Sequence, residues 1–276
     1  MKPLIDADIL RYEIGFASET GWRAIKEWKE GDPALDPPPF DYVAELLDNR
    51  ISEICAVVNA TEPPTLFLTG KGNFREGIAQ KKQYKGNRLN LVKPFHYNNI
   101  SVYLKGKYDV VVTDGIEADD LLCIEQTKRL VSKDTIICSR DKDLRQCPGW
   151  HFGWELGNQP QFGPEWVDEI GYLSLSENKK KLKGVGAKYF YAQLLMGDAT
   201  DNIPGLPSTG PVAAFKMLDL CATIPDCEKA VVEAYKRVYE GSWKTELLEQ
   251  AMLVWMVRSF DEEDKPIMFK LMEEYE

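Results

Sequence analysis

Four short apolar runs set the frame of this chain: "PLI" at residues 3–5, "TLFL" at 65–68, "DVVVT" at 109–113 and "TIIC" at 135–138. Turn-forming residues follow each run, and helix-like stretches lie between them. That alternation predicts an α/β fold with a mostly parallel central sheet flanked by helices. The segment "EGDPALDPPPF" at 30–40 carries four prolines and a glycine. Such a composition excludes both helix and central strand, so it is a loop. Residues 41–60 read as a helix with Val43, Leu46, Leu47, Ile51, Ile54 and Val58 on one face. Beyond about residue 190 helical signals take over, in "YFYAQLLMGDATDN", "PVAAFKMLDL", "EKAVVEAYKRVYE" and "TELLEQAMLVWMVRSF". The expected division is an α/β core over 1–190 and a helical region over 191–276, with Trp150, Trp154 and Trp166 packing the junction.

Acids follow the strands. Asp6 closes the first, "GIEADD" (115–120) follows the third, and "SRDKD" (139–143) follows the fourth. Parallel strands share one carboxyl edge, where ligand sites form. Asp6, Glu117, Asp119, Asp120, Asp141 and Asp143 are therefore expected to converge on one crevice. Two carboxylates about 4 Å apart repel by roughly 1 kcal/mol in water and several-fold more near protein. A cluster of this size needs cations to stay ionised.

Carboxylates without histidine or thiolate suit Mg²⁺ or Mn²⁺. A pair of such ions hydrolyses phosphodiesters, one generating the nucleophile and the other stabilising the leaving oxygen. Asp198 and Asp201, three residues apart, are expected on one face of a helix, placed to hold the second ion. The turn after them, "IPGLPSTGP", offers Gly205 and Gly210 where backbone bends or approaches a partner, and Pro211 suits the first position of a helix. Exposed amides at that helix start suit a phosphate.

A net charge of −10 argues against a nucleic-acid partner until its distribution is read. Between Thr69 and Tyr108 there are nine basic residues (Lys71, Arg75, Lys81, Lys82, Lys85, Arg88, Lys93, Lys105, Lys107) against one acid, Glu76. Lys179, Lys180, Lys181, Lys183 and Lys188 form a second group. Both suit phosphate binding. The six cysteines show no C-x-x-C spacing and only His96 and His151 could join them, which predicts a reduced cytoplasmic setting and no zinc site. No apolar run approaches the roughly 18 residues of a membrane span. Asp6 and Asp8 interrupt the N-terminus before a signal-peptide core develops.

The ordered set "LIDAD", "NFREGIAQKKQYKGNR", "GIEADDLL", "SRDKDLRQ" and "QLLMGDATDNIPGLPSTGP" resembles the 5′ to 3′ exonuclease and flap-endonuclease family. That family includes the 5′-nuclease domain of bacterial DNA polymerase I. The combination of the "YKGNR" stretch with an early Pro94 most resembles exonucleases of short-tailed bacteriophages. The motifs span residues 4–216.

The resemblance implies a PIN-like nuclease core with a helical arch over about 70–108, and a helix-three-turn-helix over about 192–220 that grips duplex DNA. It also implies a Mg²⁺- or Mn²⁺-dependent 5′–3′ DNA exonuclease, using two ions, with flap endonuclease and RNase H-like cleavage. Such an enzyme serves phage DNA replication or degradation as a monomer in the host cytoplasm, on DNA 5′ ends, flaps, duplex and RNA–DNA hybrid, with no membrane partner. By motif match the metal ligands are Asp6, Glu117, Asp119, Asp120, Asp141, Asp143, Asp198 and Asp201. Lys85 and Arg88 match arch residues on the scissile phosphate, where fixed charge offsets transition-state charge. DNA contacts fall on Arg75, Lys81, Lys82, Tyr84, Gly205, Gly210 and Lys216, with Tyr84 and Phe74 as candidates to stack on unpaired bases.

Two positions depart from the family. Thr69 stands where the family has an aspartate after the second strand, and Asp8 either compensates or serves as a cap or solvated acid. Ser208 stands where a middle glycine is common. Two alternatives follow: a related nuclease acting mainly on RNA, or a DNA-binding protein whose catalysis is weakened.

Overall fold

The structure is a computed structural model and describes residues 1–88 and 90–275. The chain opens with β1 (Lys2–Asp6), α1 (Ala7–Ile25), α2 (Phe40–Val57) and β2 (Thr65–Lys71). The helical turn α3 (Arg75–Ile78), α4 (Tyr97–Lys107), β3 (Asp109–Asp114), α5 (Ala118–Lys128) and β4 (Thr135–Cys138) follow. These strands and α2 stand where the apolar runs place them, and residues 33–39 are irregular.

The next strands were not legible in the sequence: β5 (Gly149–Gly153), β6 (Phe162–Val167) and a hairpin of β7 (Leu173–Leu175) and β8 (Leu182–Gly184). Trp150 and Trp166 meet edge to face across β5 and β6, so they pack the sheet's edge rather than a domain junction. The chain closes with α6 (Gly186–Met196), α7 (Pro211–Leu218), α8 (Ile224–Tyr239) and α9 (Trp243–Val254). Among the described residues no helix is long and apolar enough to cross a membrane.

The main sheet has the order β3-β2-β1-β4-β5-β6, parallel throughout except for β6. Period-two alternation sorts the strand side chains. Ile5, Leu66, Leu68, Ile136 and Cys138 pack with α1, α2 and α4 on one face. Leu4, Phe67 and Ile137 pack with Ala118, Leu122 and Cys123 of α5 on the other. A third cluster, built on Tyr189, Phe190, Leu194, Val231, Tyr235 and Leu247, holds α6, α8 and α9 together. The chain runs outward from β1 through β2 to β3, then α5 carries it back to β4 on the far side of β1. Such a reversal leaves a crevice at the carboxyl ends of the two central strands.

Among the described residues, helix within the basic stretch is limited to α3, a 3₁₀ turn at Gly86–Arg88, and α4. The last of these belongs to the core, through buried Ile100 and Leu104. Two further expectations are corrected. The run "TELLEQAMLVWMVRSF" leaves the helix at Trp255 because Arg75 donates to the Leu253 and Trp255 carbonyls and Val257 N–H donates to Asp120. Asp198 and Asp201 do not share a helix face. Gly197, at φ +71°, ends α6, and paired backbone bonds between Asp198 and Ile203 close a tight turn that carries both acids.

Candidate active site

Asp6 ends β1 and caps α1, accepting from the Asp8 and Ile9 amides through Oδ1 and from Ser139 Oγ at 2.7 Å through Oδ2. Burial, with Asp8 and Asp141 adding repulsion, pushes its carboxyl up to about 7. Glu117 caps α5 and receives Tyr84 Oη at 2.9 Å, Arg75 Nη1 at 3.4 Å and Lys85 Nζ. Burial pushes Glu117 up, but Lys85 and Arg75 outweigh it and hold the group below the usual range. Asp119 sits well above it, because burial and the charges of Asp6 and Asp141 outweigh the attraction of Lys85. Asp141 accepts from the Asp143 amide, closing the loop after β4.

These acids line one cavity of about 720 Å³ at the crevice. Asp6, Asp8, Glu117, Asp119 and Asp141 share it with Lys85 and Arg88, and Ile9, Tyr12 and Phe16 of α1 form an apolar wall. The remaining acids form a second cluster. Gln193 of α6 donates one amide group to both Asp143 (2.6 Å) and Asp198 (3.1 Å), while Lys142 pairs with the same two carboxylates. Burial and Asp141 push Asp143 up to about 7 even with Lys142 beside it. Asp201 accepts from Arg88 Nη2 at 2.6 Å and from Tyr84 Oη at 3.2 Å. Tyr84 thus links Glu117 of α5 to Asp201 of the turn.

Several expected residues are placed elsewhere. Asp120 is wholly buried and gives both oxygens to Arg75, at 2.6 and 2.7 Å, so it is not presented as a ligand. Arg75 is equally buried, its guanidinium consumed by Asp120, Glu117 and two carbonyls near the end of α9, which removes it from DNA contact. The Tyr84 ring lies inside the core and cannot stack on a base. Phe74 is half-buried, its ring 4.6 Å from the Arg75 guanidinium. Gly205 is buried against Gly197, and its N–H is taken by Gln250, so it offers no amide to a phosphate. Lys81 is tied to Glu246 of α9 and lies over Tyr239. Lys82, Gly210 and Lys216 are exposed, the last two on α7 or its cap. Lys179, Lys180 and Lys181 lie exposed in the connection between β7 and β8.

Thr69 anchors structure: its Oγ1 accepts the Ala118 N–H at 2.9 Å, fixing the start of α5, and its own N–H donates to Asp8. Lys142, Gln193 and Ser139 were not singled out in the sequence, although each stands inside or beside an acid motif. A lysine between two aspartates in "SRDKD" was the available signal for the first.

Oxygen donors alone, raised in pKa by burial first and by mutual repulsion second, fit hard divalent cations. Among the described residues no three carboxylate, imidazole or thiol groups enclose an ion as they stand. Lys85, Arg88 and Lys142 meet the carboxylates instead, so ion binding requires these side chains to turn away.

No protein-family model matches the chain. A 5′-3′ exonuclease of Buchnera aphidicola subsp. Schizaphis graminum is 30% identical over 166 residues, covering 55% of this chain and 50% of its own. Flap endonuclease Xni of Shewanella halifaxensis is 31% identical over 132 residues, covering 45% and 48%. The chain spans about half the length of these curated relatives. Among solved structures, the 5′-exonuclease of bacteriophage T5 with divalent zinc bound overlays with a TM-score of 0.48 at 14% identity, over 92% of this chain and 99% of that one. The sequence is thus similar to 5′-3′ exonucleases and flap endonucleases.

Proposed function

We propose that this chain is a divalent-cation-dependent 5′–3′ DNA nuclease, cleaving as exonuclease and flap endonuclease by phosphodiester hydrolysis. One observation carries the reading: a single cavity is lined by Asp6, Glu117, Asp119 and Asp141 and by the fixed cations Lys85 and Arg88. Acids call for metal, and cations at the same cavity call for phosphate. The similarity to named exonucleases and flap endonucleases supports it.

On this reading Asp6, Glu117, Asp119 and Asp141 hold one Mg²⁺ or Mn²⁺, and Asp143, Asp198 and Asp201 a second. Divalent ions, when bound, acidify water to a nucleophile at neutral pH and neutralise the leaving oxygen. The chain's own residues do the rest. Lys85 and Arg88 leave Glu117 and Asp201 for the scissile phosphate and offset charge building on its oxygens. Ser139 and the α1 amides fix the orientation of Asp6, which needs no reorganisation as the reaction proceeds. Ile9, Tyr12 and Phe16 take the flat faces of the nucleotide. Residues 1–190 supply this chemistry together with Asp198 and Asp201, and the rest of residues 191–276 grips the duplex through exposed Gly210 and Lys216. The enzyme works as a cytoplasmic monomer, and RNA–DNA hybrid is a second substrate.

The test is a 5′-flapped duplex, labelled at each strand end in turn, with Mg²⁺, Mn²⁺ or EDTA, for wild type and Asp141→Asn. Short 5′ products that need metal and vanish in the variant are expected. Intact strands in both metals would refute the reading. A matched RNA flap separates DNA from RNA preference, since only 2′-hydroxyl contacts tell the sugars apart.

A further inference from the structure

Lys142 has no part in the reading above, yet it occupies the centre of the second acid cluster. Its ammonium contacts Asp143 Oδ1 at 3.1 Å and pairs with Asp198 Oδ2. From the inner side the Gln193 amide bridges the same two carboxylates, and its orientation is fixed because Gln193 Oε1 accepts from Gln146 at 2.7 Å. Asp198 is further held by the Thr200 amide at 2.8 Å. The acids are therefore rigid and their inner approach is closed. Lys142 covers them from the solvent side, beside the Tyr189 hydroxyl, with its side chain 47% exposed against 4% for Asp198.

A single positive charge leaves this pair under-neutralised, with Asp141 and Asp201 adding further negative charge nearby. The ammonium cannot diffuse away, because its backbone lies between Asp141 and Asp143. It can rotate outward at little packing cost, because half of it already faces water.

We propose that Lys142 and a divalent cation are alternative occupants of the Asp143–Asp198 pair, so that Lys142 sets how tightly that ion binds. The proposal rests on the metal-dependent reading of this site. An ion entering the pair must displace a tethered ammonium; a phosphate that attracts Lys142 outward removes the competitor. Binding of the ion and of an anionic substrate are thereby coupled through one side chain.

The experiment is Mn²⁺ binding to the full chain without DNA, by calorimetry and by the resonance signal of free Mn²⁺. Asp198→Asn identifies which binding event belongs to the pair. Lys142→Met is expected to tighten that event by roughly tenfold or more, while Lys142→Arg, which keeps the charge, stays within about threefold of wild type. Lys142→Gln is a second neutral variant, against the chance that Met disturbs folding. An unchanged or weakened event in both neutral variants, with normal uptake by wild type, overturns the role of Lys142 alone. A chain that takes up no Mn²⁺ as wild type or as either neutral variant overturns the metal-dependent reading as well.

Discussion

Arg75 and Asp120 meet side-on through two hydrogen bonds of 2.6 and 2.7 Å, both side chains wholly out of solvent. The guanidinium also binds Leu253 O and Trp255 O, and the carboxylate also accepts the Val257 N–H. The pair thus joins α3, α5 and the end of α9 at one point. Removing either partner leaves a buried charge, so Arg75→Met or Asp120→Leu is expected to cost about 3–5 kcal/mol of stability. Arg75→Met combined with Asp120→Leu recovers a large part of it. Urea unfolding of the singles and the double checks this, and additive losses would sink it.

Asp119 is predicted to behave in the opposite way. Its carboxyl is pushed well above the usual range by burial and by Asp6 and Asp141. Asp119→Asn is therefore expected to stabilise metal-free protein at pH 8 by roughly 1–2 kcal/mol, while nuclease activity falls. Urea midpoints in EDTA and in excess Mg²⁺ provide the check, the advantage shrinking when metal is present. A destabilised Asp119→Asn in EDTA would show that the acids are not in mutual conflict.

The contrast between neighbouring aspartates explains what was legible in the sequence. "TLFL" and "TIIC" announce strands because β-branched and large apolar residues fill two buried faces. "GWHFG" hides β5, since glycines at both ends and a histidine carry no strand signal, and its burial comes from neighbours distant in sequence: β4 and the core around Phe152, Gln126 and β6. The acid edge was legible because strand ends fix position. Asp120 was not separable from Asp119, because its partner Arg75 is 45 residues away and the carbonyls holding Arg75 are about 180 residues away. The spacing of Asp198 and Asp201 fits a helix, and only the backbone at Gly197 decides otherwise.

His151 sets an acid limit on stability. Fully buried on β5, with Nε2 donating to Cys147 O at 2.7 Å, it has its pKa lowered to about 4 by desolvation, against the backbone bond and with Arg145 adding. The unfolded chain binds a proton near pH 6.5, the native state only near 4. Stability from this residue is therefore complete above about pH 6.5 and lost as pH falls toward 4, by about 3 kcal/mol in total. His151→Gln, which can donate to the same carbonyl, is expected to flatten the pH dependence in that window. Urea midpoints from about pH 4 to 7 measure it, and identical slopes in both proteins would refute it.

The same substitution at two glycines of one turn separates a structural from a peripheral position. Gly205 has φ +68°, and a Cβ there would lie within 2.7 Å of Gly197 Cα and of the Met196 carbonyl carbon. Its neighbour Gly197 is also left-handed, so neither backbone can yield without moving the turn that carries Asp198 and Asp201. Gly205→Ser is expected to cost about 3 kcal/mol or more, combining a disfavoured positive φ with a backbone collision. Gly210 has φ −100° and caps α7, and a Cβ added there would meet no atom within 4 Å. Serine is a good helix cap, so Gly210→Ser is expected to be neutral or to gain up to about 1 kcal/mol. Thermal unfolding and Mn²⁺ uptake should therefore fall together for Gly205→Ser and stay intact for Gly210→Ser. Because that second fold is intact, a loss of duplex affinity in Gly210→Ser reports contact of DNA with the start of α7, and unchanged affinity removes Gly210 from the proposed grip.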